Sequence, residues 1–193
     1  MGKRYEIRLS GTGGQGVGLA SIILAEAAMR KGRGQRVAQT VSYGPQVRGG
    51  YSDGEVVVSD EEIDHPMPIH LDLLIPFNQD SADQGARLLK PDGFTLMDPA
   101  LVNRRPEGWV AVLPLTELAR ESTGRAMMAN ITALGAVSAL CPVIDAKSLN
   151  EAIEARAPEG MAQTFLAAAE AGRKAARKIK KRMSFEKPPL QDD

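Results

Sequence analysis

Six residues near the N-terminus, Gly11-Thr12-Gly13-Gly14-Gln15-Gly16, have the types and spacing to hold an anion. Gly11, Gly13 and Gly16 satisfy G-x-G-x-x-G between an apolar run and a helix-spaced run. Glycine permits a tight turn and lets the main chain approach a guest closely. The helix that follows directs its free N–H groups and its positive dipole end at the same point. A phosphate or pyrophosphate is the natural guest, and close strand-to-helix packing is the competing use of the same glycines. A nicotinamide site would add an acid about 20 residues on, at the end of the second strand. That strand ends Ala38-Gln39-Thr40-Val41, and the next acid is Asp53. No Lys-Ser or Lys-Thr pair follows the glycines, so a Walker loop fails as well. The expected anion is neither NAD nor ATP.

A second loop, Ser42-Tyr43-Gly44-Pro45-Gln46-Val47-Arg48-Gly49-Gly50, supplies one guanidinium flanked by open backbone. Arg48 suits a carboxylate or phosphate in bidentate contact; as turn punctuation with a surface charge, the same residues would do no chemistry. His65 and His70, with Asp64, lie in a proline-broken stretch without the i, i+4 spacing that sets two ligands on one helix face, and no metal site is expected. Cys141 is the one cysteine, which excludes an internal disulfide and an Fe–S cluster held by this chain alone, and suits a reducing cytoplasm. It reads as a buried small hydrophobe, with no His near it in sequence. Seven basic residues between Arg173 and Arg182 make a solvated helix end or a contact for an acidic partner.

The elements that would position these residues follow from periodicity. Tyr5–Leu9 reads as a strand, Val17–Lys31 as a helix and Arg36–Val41 as a second strand, a β-turn-α-β opening. A strand at Glu55–Ser59 after the second loop inserts a hairpin excursion, hence a mixed sheet. Leu71–Phe77 reads as a buried central strand, Gln79–Lys90 as a helix, Pro91-Asp92-Gly93 as a turn, and Phe94–Met97 and Trp109–Leu113 as strands. Helices follow at Thr116–Glu121, Met127–Leu140, Leu149–Ala155 and Met161–Arg182. The expected fold is a three-layer α/β/α domain over residues 1–182, with a mixed, mostly parallel sheet, a Rossmann-like start and a helical C-terminus; residues 183–193 form an extended tail. Twenty-four basic and 24 acidic residues leave no net charge to draw nucleic acid or an anionic membrane, and no stretch reads as a signal peptide or a span.

Taken together, Gly11 to Gly16 with Gln15, Ala25-Glu26-Ala27-Ala28, Ser42-Tyr43-Gly44-Pro45 and Arg48-Gly49-Gly50 resemble the gamma subunits of 2-oxoacid:ferredoxin oxidoreductases. The 2-oxoglutarate type is more similar than the pyruvate type. Glu55 to Ile63, Asp72-Leu73-Leu74 and the segment from Asn130 to Ala136 continue the likeness, which runs over roughly residues 4–172. The resemblance implies a subunit of an enzyme that oxidatively decarboxylates a 2-oxoacid and passes the acyl group to coenzyme A. It implies thiamine diphosphate, Mg and Fe–S clusters on alpha, beta or delta-type partner subunits. Electrons would leave to ferredoxin or to an NAD-reducing flavin subunit. It also implies coenzyme A contact at Gly11, Thr12, Gly13, Gly14, Gln15 and Gly16, and an active-site side formed by Ser42, Tyr43, Gly44, Arg48, Gly49 and Gly50. The family's C-terminal helix commonly carries an Asn, yet none occurs between Glu151 and Gly172, so no contact is carried over there. From the residues alone, a stand-alone α/β protein binding a phosphorylated ligand at the glycine turn remains the alternative.

Overall fold

Alternation in the first strand sets the plan of the molecule. In a computed structural model that describes residues 4–32, 34–44 and 50–183 (181–183 without their side chains), β1 spans Arg4–Thr12. Ile7 and Leu9 point to one face, where they are fully buried in the main apolar cluster. Glu6, Arg8 and Ser10 point to the other. The sheet has six strands in the order β2-β3-β1-β4-β5-β6, with β2 at Arg36–Tyr43, β3 at Tyr51–Ser59, β4 at Leu71–Pro76, β5 at Leu89–Met97 and β6 at Trp109–Val112. β3 is antiparallel to both of its neighbours, while β1, β4, β5 and β6 pair in parallel.

Helices cover both faces. α1 (Val17–Lys31), α4 (Ala129–Leu140), α5 (Ala146–Arg156) and α6 (Ala162–Met183) pack on the Ile7 face, and their Ala, Leu and Ile side chains share one cluster with Val56, Leu73, Ile75 and Leu96. α2 (Gln79–Ala86) lies on the opposite face, where Gly85 abuts Leu74 and Ala82 packs with Met97 and Val102. α3 spans Leu115–Thr123, and a 3-10 turn at Ala126–Met128 leads into α4. The mixed three-layer α/β architecture and helical C-terminus thus match the reading of the sequence. No helix among the described residues is long and apolar enough to cross a membrane.

The main departures from the sequence reading have a pairing reason. β1 continues through Gly11 and Thr12 because β3 pairs with it as far as Thr12↔Tyr51. The hairpin pairing Ser42↔Asp53 and Tyr43↔Ser52 likewise draws Ser42 and Tyr43 out of the second loop and into β2. β2 does not sit beside β1, since β3 fills that place; the opening β-α-β therefore crosses over a strand. Finally, α2 ends at Ala86, and Lys90 to Gly93 form a bulge within β5, where the register jumps from Leu71↔Leu89 to Leu73↔Phe94.

One surface link on α1 titrates. Arg156 and Arg30 donate to Glu26 at 2.5 and 2.6 Å and hold its carboxyl below the ordinary value of 4.5. A depressed folded-state pKa gives stability that is complete above 4.5 and lost as pH falls through the lower folded value. Melting temperature should therefore decline below that point, and Glu26→Gln should flatten the decline. Thermal scans from pH 6 down to about 3 read this directly.

Candidate functional site

The chain leaves β1 for α1 on one face and leaves β4 for α2 on the other. A crevice therefore opens at the carboxyl ends of these two neighbouring strands, the position where open α/β sheets bind ligands. The glycine turn sits at its edge. The Gln15 side chain lies over Gly11, accepts from Thr12 N–H at 2.7 Å and from the Thr12 hydroxyl at 3.2 Å, and donates to the Phe77 carbonyl at 3.0 Å. Phe77 N–H donates in turn to the Ser10 carbonyl at 2.7 Å. One amide thus ties the turn to the end of β4. Gly11 is buried, and a β-carbon there would meet Gln15 and, at 3.0 Å, Phe77; its glycine serves this close fit.

Gly16 ends the turn as the residue before α1, at φ 70, a left-handed conformation that favours glycine. Its carbonyl accepts from the Asn130 side-chain amide at 3.1 Å and from Ala20 N–H at 3.0 Å. Asn130 is buried in the first turn of α4, so the turn is braced from a second helix. Gly14, at φ 98, is exposed. Its N–H and that of Gly16 make no hydrogen bond with another described residue. Among the described residues no side chain caps α1 and no acid occupies its first turn, so its N-terminal dipole end is open to an anion. That combination fits a phosphate.

The second loop comes to the same place. Gly13 N–H donates to the Gly50 carbonyl at 3.0 Å, and Gly44 N–H to the Tyr51 carbonyl at 2.8 Å. Tyr51 packs on Gly44, while Tyr43 is exposed and its hydroxyl lies beside Gly18 of α1. Ser42 stands opposite Asp53, which pairs with Ser10. The structure therefore brings Gly13, Gly14, Gly16, Tyr43, Gly44 and Gly50 together at one end of the sheet; Arg48 and Gly49 lie outside the described residues. Beneath them, on the α2 face, Arg8 and Thr40 satisfy the buried Glu55 at 2.6 to 2.9 Å. Phe77 had no signal in the sequence beyond ending an apolar run; Asn130 was marked by the family likeness of its segment, which did not show its contact with Gly16.

The other candidates are accounted for locally. The His65 ring contacts the Met67 carbonyl at 2.9 Å on an exposed loop, and the backbone N–H of His70 donates to the Glu6 carboxylate at 2.8 Å. Cys141 is buried, and burial pushes its thiol up to about 12, far from a reactive thiolate. Among the described residues, no group of three or more His, Cys, Asp or Glu side chains could hold a metal ion.

Residues 6–175 match the family model described as pyruvate ferredoxin/flavodoxin oxidoreductase. The chain belongs to that family. Within the pyruvate ferredoxin/flavodoxin oxidoreductase family, it is 39% identical over 180 residues to the 2-oxoglutarate synthase subunit KorC of Methanocaldococcus jannaschii, covering 91% of this chain and 96% of that one. The solved gamma subunit of keto/oxoacid ferredoxin oxidoreductase from Geobacter sulfurreducens is 38% identical, with a TM-score of 0.80 over 90% of this chain and 97% of that one. The 2-oxoglutarate:ferredoxin oxidoreductase of Magnetococcus marinus, solved with 2-oxoglutarate, coenzyme A and succinyl-CoA bound, is 25% identical with a TM-score of 0.78. There the likeness covers 91% of this chain but 31% of that longer one. The family resemblance read from the two loops is thus established over nearly the whole chain.

Proposed function

We propose that this chain is the gamma subunit of a multi-subunit 2-oxoacid:acceptor oxidoreductase and that its glycine turn receives a phosphate of coenzyme A. The reaction is oxidative decarboxylation of a 2-oxoacid to an acyl-CoA, with two electrons passed to ferredoxin or to an NAD-reducing flavin subunit. The near-full-length likeness to a free-standing gamma subunit carries the assignment to a subunit. The N–H groups of Gly14 and Gly16 at the start of α1, without a hydrogen bond to a described residue, support the phosphate contact. Gln15 and Asn130 would hold the turn in the receiving shape, while Ser42, Tyr43, Gly44, Arg48, Gly49 and Gly50 would flank the substrate side. Thiamine diphosphate, Mg and Fe–S clusters belong to alpha, beta and delta-type partners in this reading; a single buried cysteine supports that division. A cytoplasmic setting accords with it.

Purification from native cells tests the reading. The chain should co-elute with larger subunits carrying iron and thiamine diphosphate, and the complex should reduce an electron acceptor only when both a 2-oxoacid and coenzyme A are present. A panel of 2-oxoglutarate, pyruvate, branched-chain and aryl 2-oxoacids then fixes the substrate, with 2-oxoglutarate the first to try given the KorC relative. Isolation as a monomer or homodimer binding a phosphorylated ligand, or 2-oxoacid oxidation by the chain alone, would overturn it.

A further inference from the structure

Charge is segregated on α6. Residues 173–182 contain seven basic side chains and no acid, in a chain whose overall charge is zero. Two of them have hydrogen-bond partners. Arg173 is buried and donates to Glu170, Asn150 and Ser138 at 2.5, 2.8 and 3.0 Å, and Lys180 donates to the Ala139 carbonyl at 2.7 Å. Lys174, Arg177 and Lys178 are exposed, as Lys180 is, but lack its hydrogen bond to a neighbouring helix. Lys174 reaches Glu170 only at 3.7 Å, and Arg177 and Lys178 make no hydrogen bond or ion pair with a described residue.

Their spacing sets these three on one file of the helix, where like charges three and four apart oppose one another. The helix dipole accounts for basic residues in the last turn, but it does not reach this file: Lys174 to Met183 spans about 13 Å of helix. Nor does the file serve the glycine turn. α4 begins with Asn130 on the Gly16 carbonyl and ends beside Lys180, so 12 residues of helix, about 18 Å, separate the two regions.

We propose that Lys174, Arg177 and Lys178 dock an acidic surface of a sister subunit, an inference that rests on the gamma-subunit reading. Three exposed cations on a rigid helix, of which only Lys174 has an acid within 4 Å among the described residues, fit a carboxylate-bearing protein patch, which would steer association and fix orientation. Nucleic acid fits less well. The only aromatic side chain of α6, Phe165, is buried, and a net charge of zero gives no long-range attraction for a polyanion.

The test is reassembly of the full complex with the triple variant Lys174→Glu, Arg177→Glu and Lys178→Glu. At low salt its association rate should fall roughly ten- to hundred-fold, with a flattened salt dependence. The corresponding Gln variant should fall between, and melting temperature and the KM for coenzyme A should be unchanged. A wild-type rate and salt dependence in the Glu variant would overturn the proposal, as would a raised KM with normal assembly. Tight nucleic-acid binding by the wild type, lost in the variant, would overturn it too. Failure of the wild-type chain itself to join larger subunits would instead refute the gamma-subunit reading.

Discussion

Gly172→Ala and Gly135→Ala should each destabilise the protein by roughly 3 kcal/mol or more, although both add a helix-favouring methyl group. Alanine in place of a mid-helix glycine ordinarily gains about 1 kcal/mol. Here α4 and α6 touch backbone to backbone. A β-carbon at Gly135 would stand 2.6 Å from the carbonyl carbon of Ala169 and closer still to its oxygen; one at Gly172 would stand 2.8 Å from the carbonyl carbon of Thr132. Neither obstacle can rotate away as a side chain could. The helices must separate, and Ala133, Ala136, Ala168 and Ala176, buried around the crossing, lose contact as they do. For a chain of this size, roughly 6–12 °C in melting temperature is expected. Gly124→Ala is the control: it sits at φ 72 with nothing within 4 Å, so only backbone strain of about 1–2 kcal/mol applies. Equal losses at Gly124 and Gly172, or a gain at Gly172, would show that the helices can slide apart without penalty.

That crossing also marks where the sequence stops being legible. The 3.6-residue period of Val17–Lys31 and the apolar run Leu71–Pro76 identify α1 and β4, because each buries one defined face or is buried throughout. The glycines of α4 and α6 carry no such signal; their meaning depends on which two helices meet. Sheet order was hidden for the same reason. Nothing local in Glu55–Ser59 says that it pairs on both sides and parts β2 from β1, since that is settled by long-range registers such as Ile7↔Val56 and Val37↔Val58. At the site, the glycine turn was visible because glycine at G-x-G-x-x-G spacing is a backbone requirement written directly in residue types. The role of Asn130, 114 residues from Gly16, was not: its segment shared the family likeness, but its value lies in a contact that only the packed α4 creates.

The exposed Gly14 and the half-buried Gly16 of that turn can be made to decide between a ligand and mere packing. Gly16→Ala should lose stability and coenzyme A-dependent activity together. At φ 70 the new side chain is strained by about 1–2 kcal/mol. It also overlaps the Asn130 amide, displacing the hydrogen bond that braces the turn. A further loss of about 1 kcal/mol follows from that bond. Gly14→Ala is cleaner. Its φ of 98 imposes backbone strain, but a β-carbon there meets nothing within 4 Å, so the fold should survive. The methyl group would project beside the free N–H groups, where a phosphate needs close approach. In the assembled complex, its apparent KM for coenzyme A should rise about tenfold or more, equivalent to about 1.4 kcal/mol, with kcat and the KM for the 2-oxoacid nearly unchanged. Wild-type affinity in Gly14→Ala, with a purely structural loss in Gly16→Ala, would return these glycines to strand-to-helix packing alone. A selective rise at Gly14 argues against packing, because no described residue lies within 4 Å of the methyl.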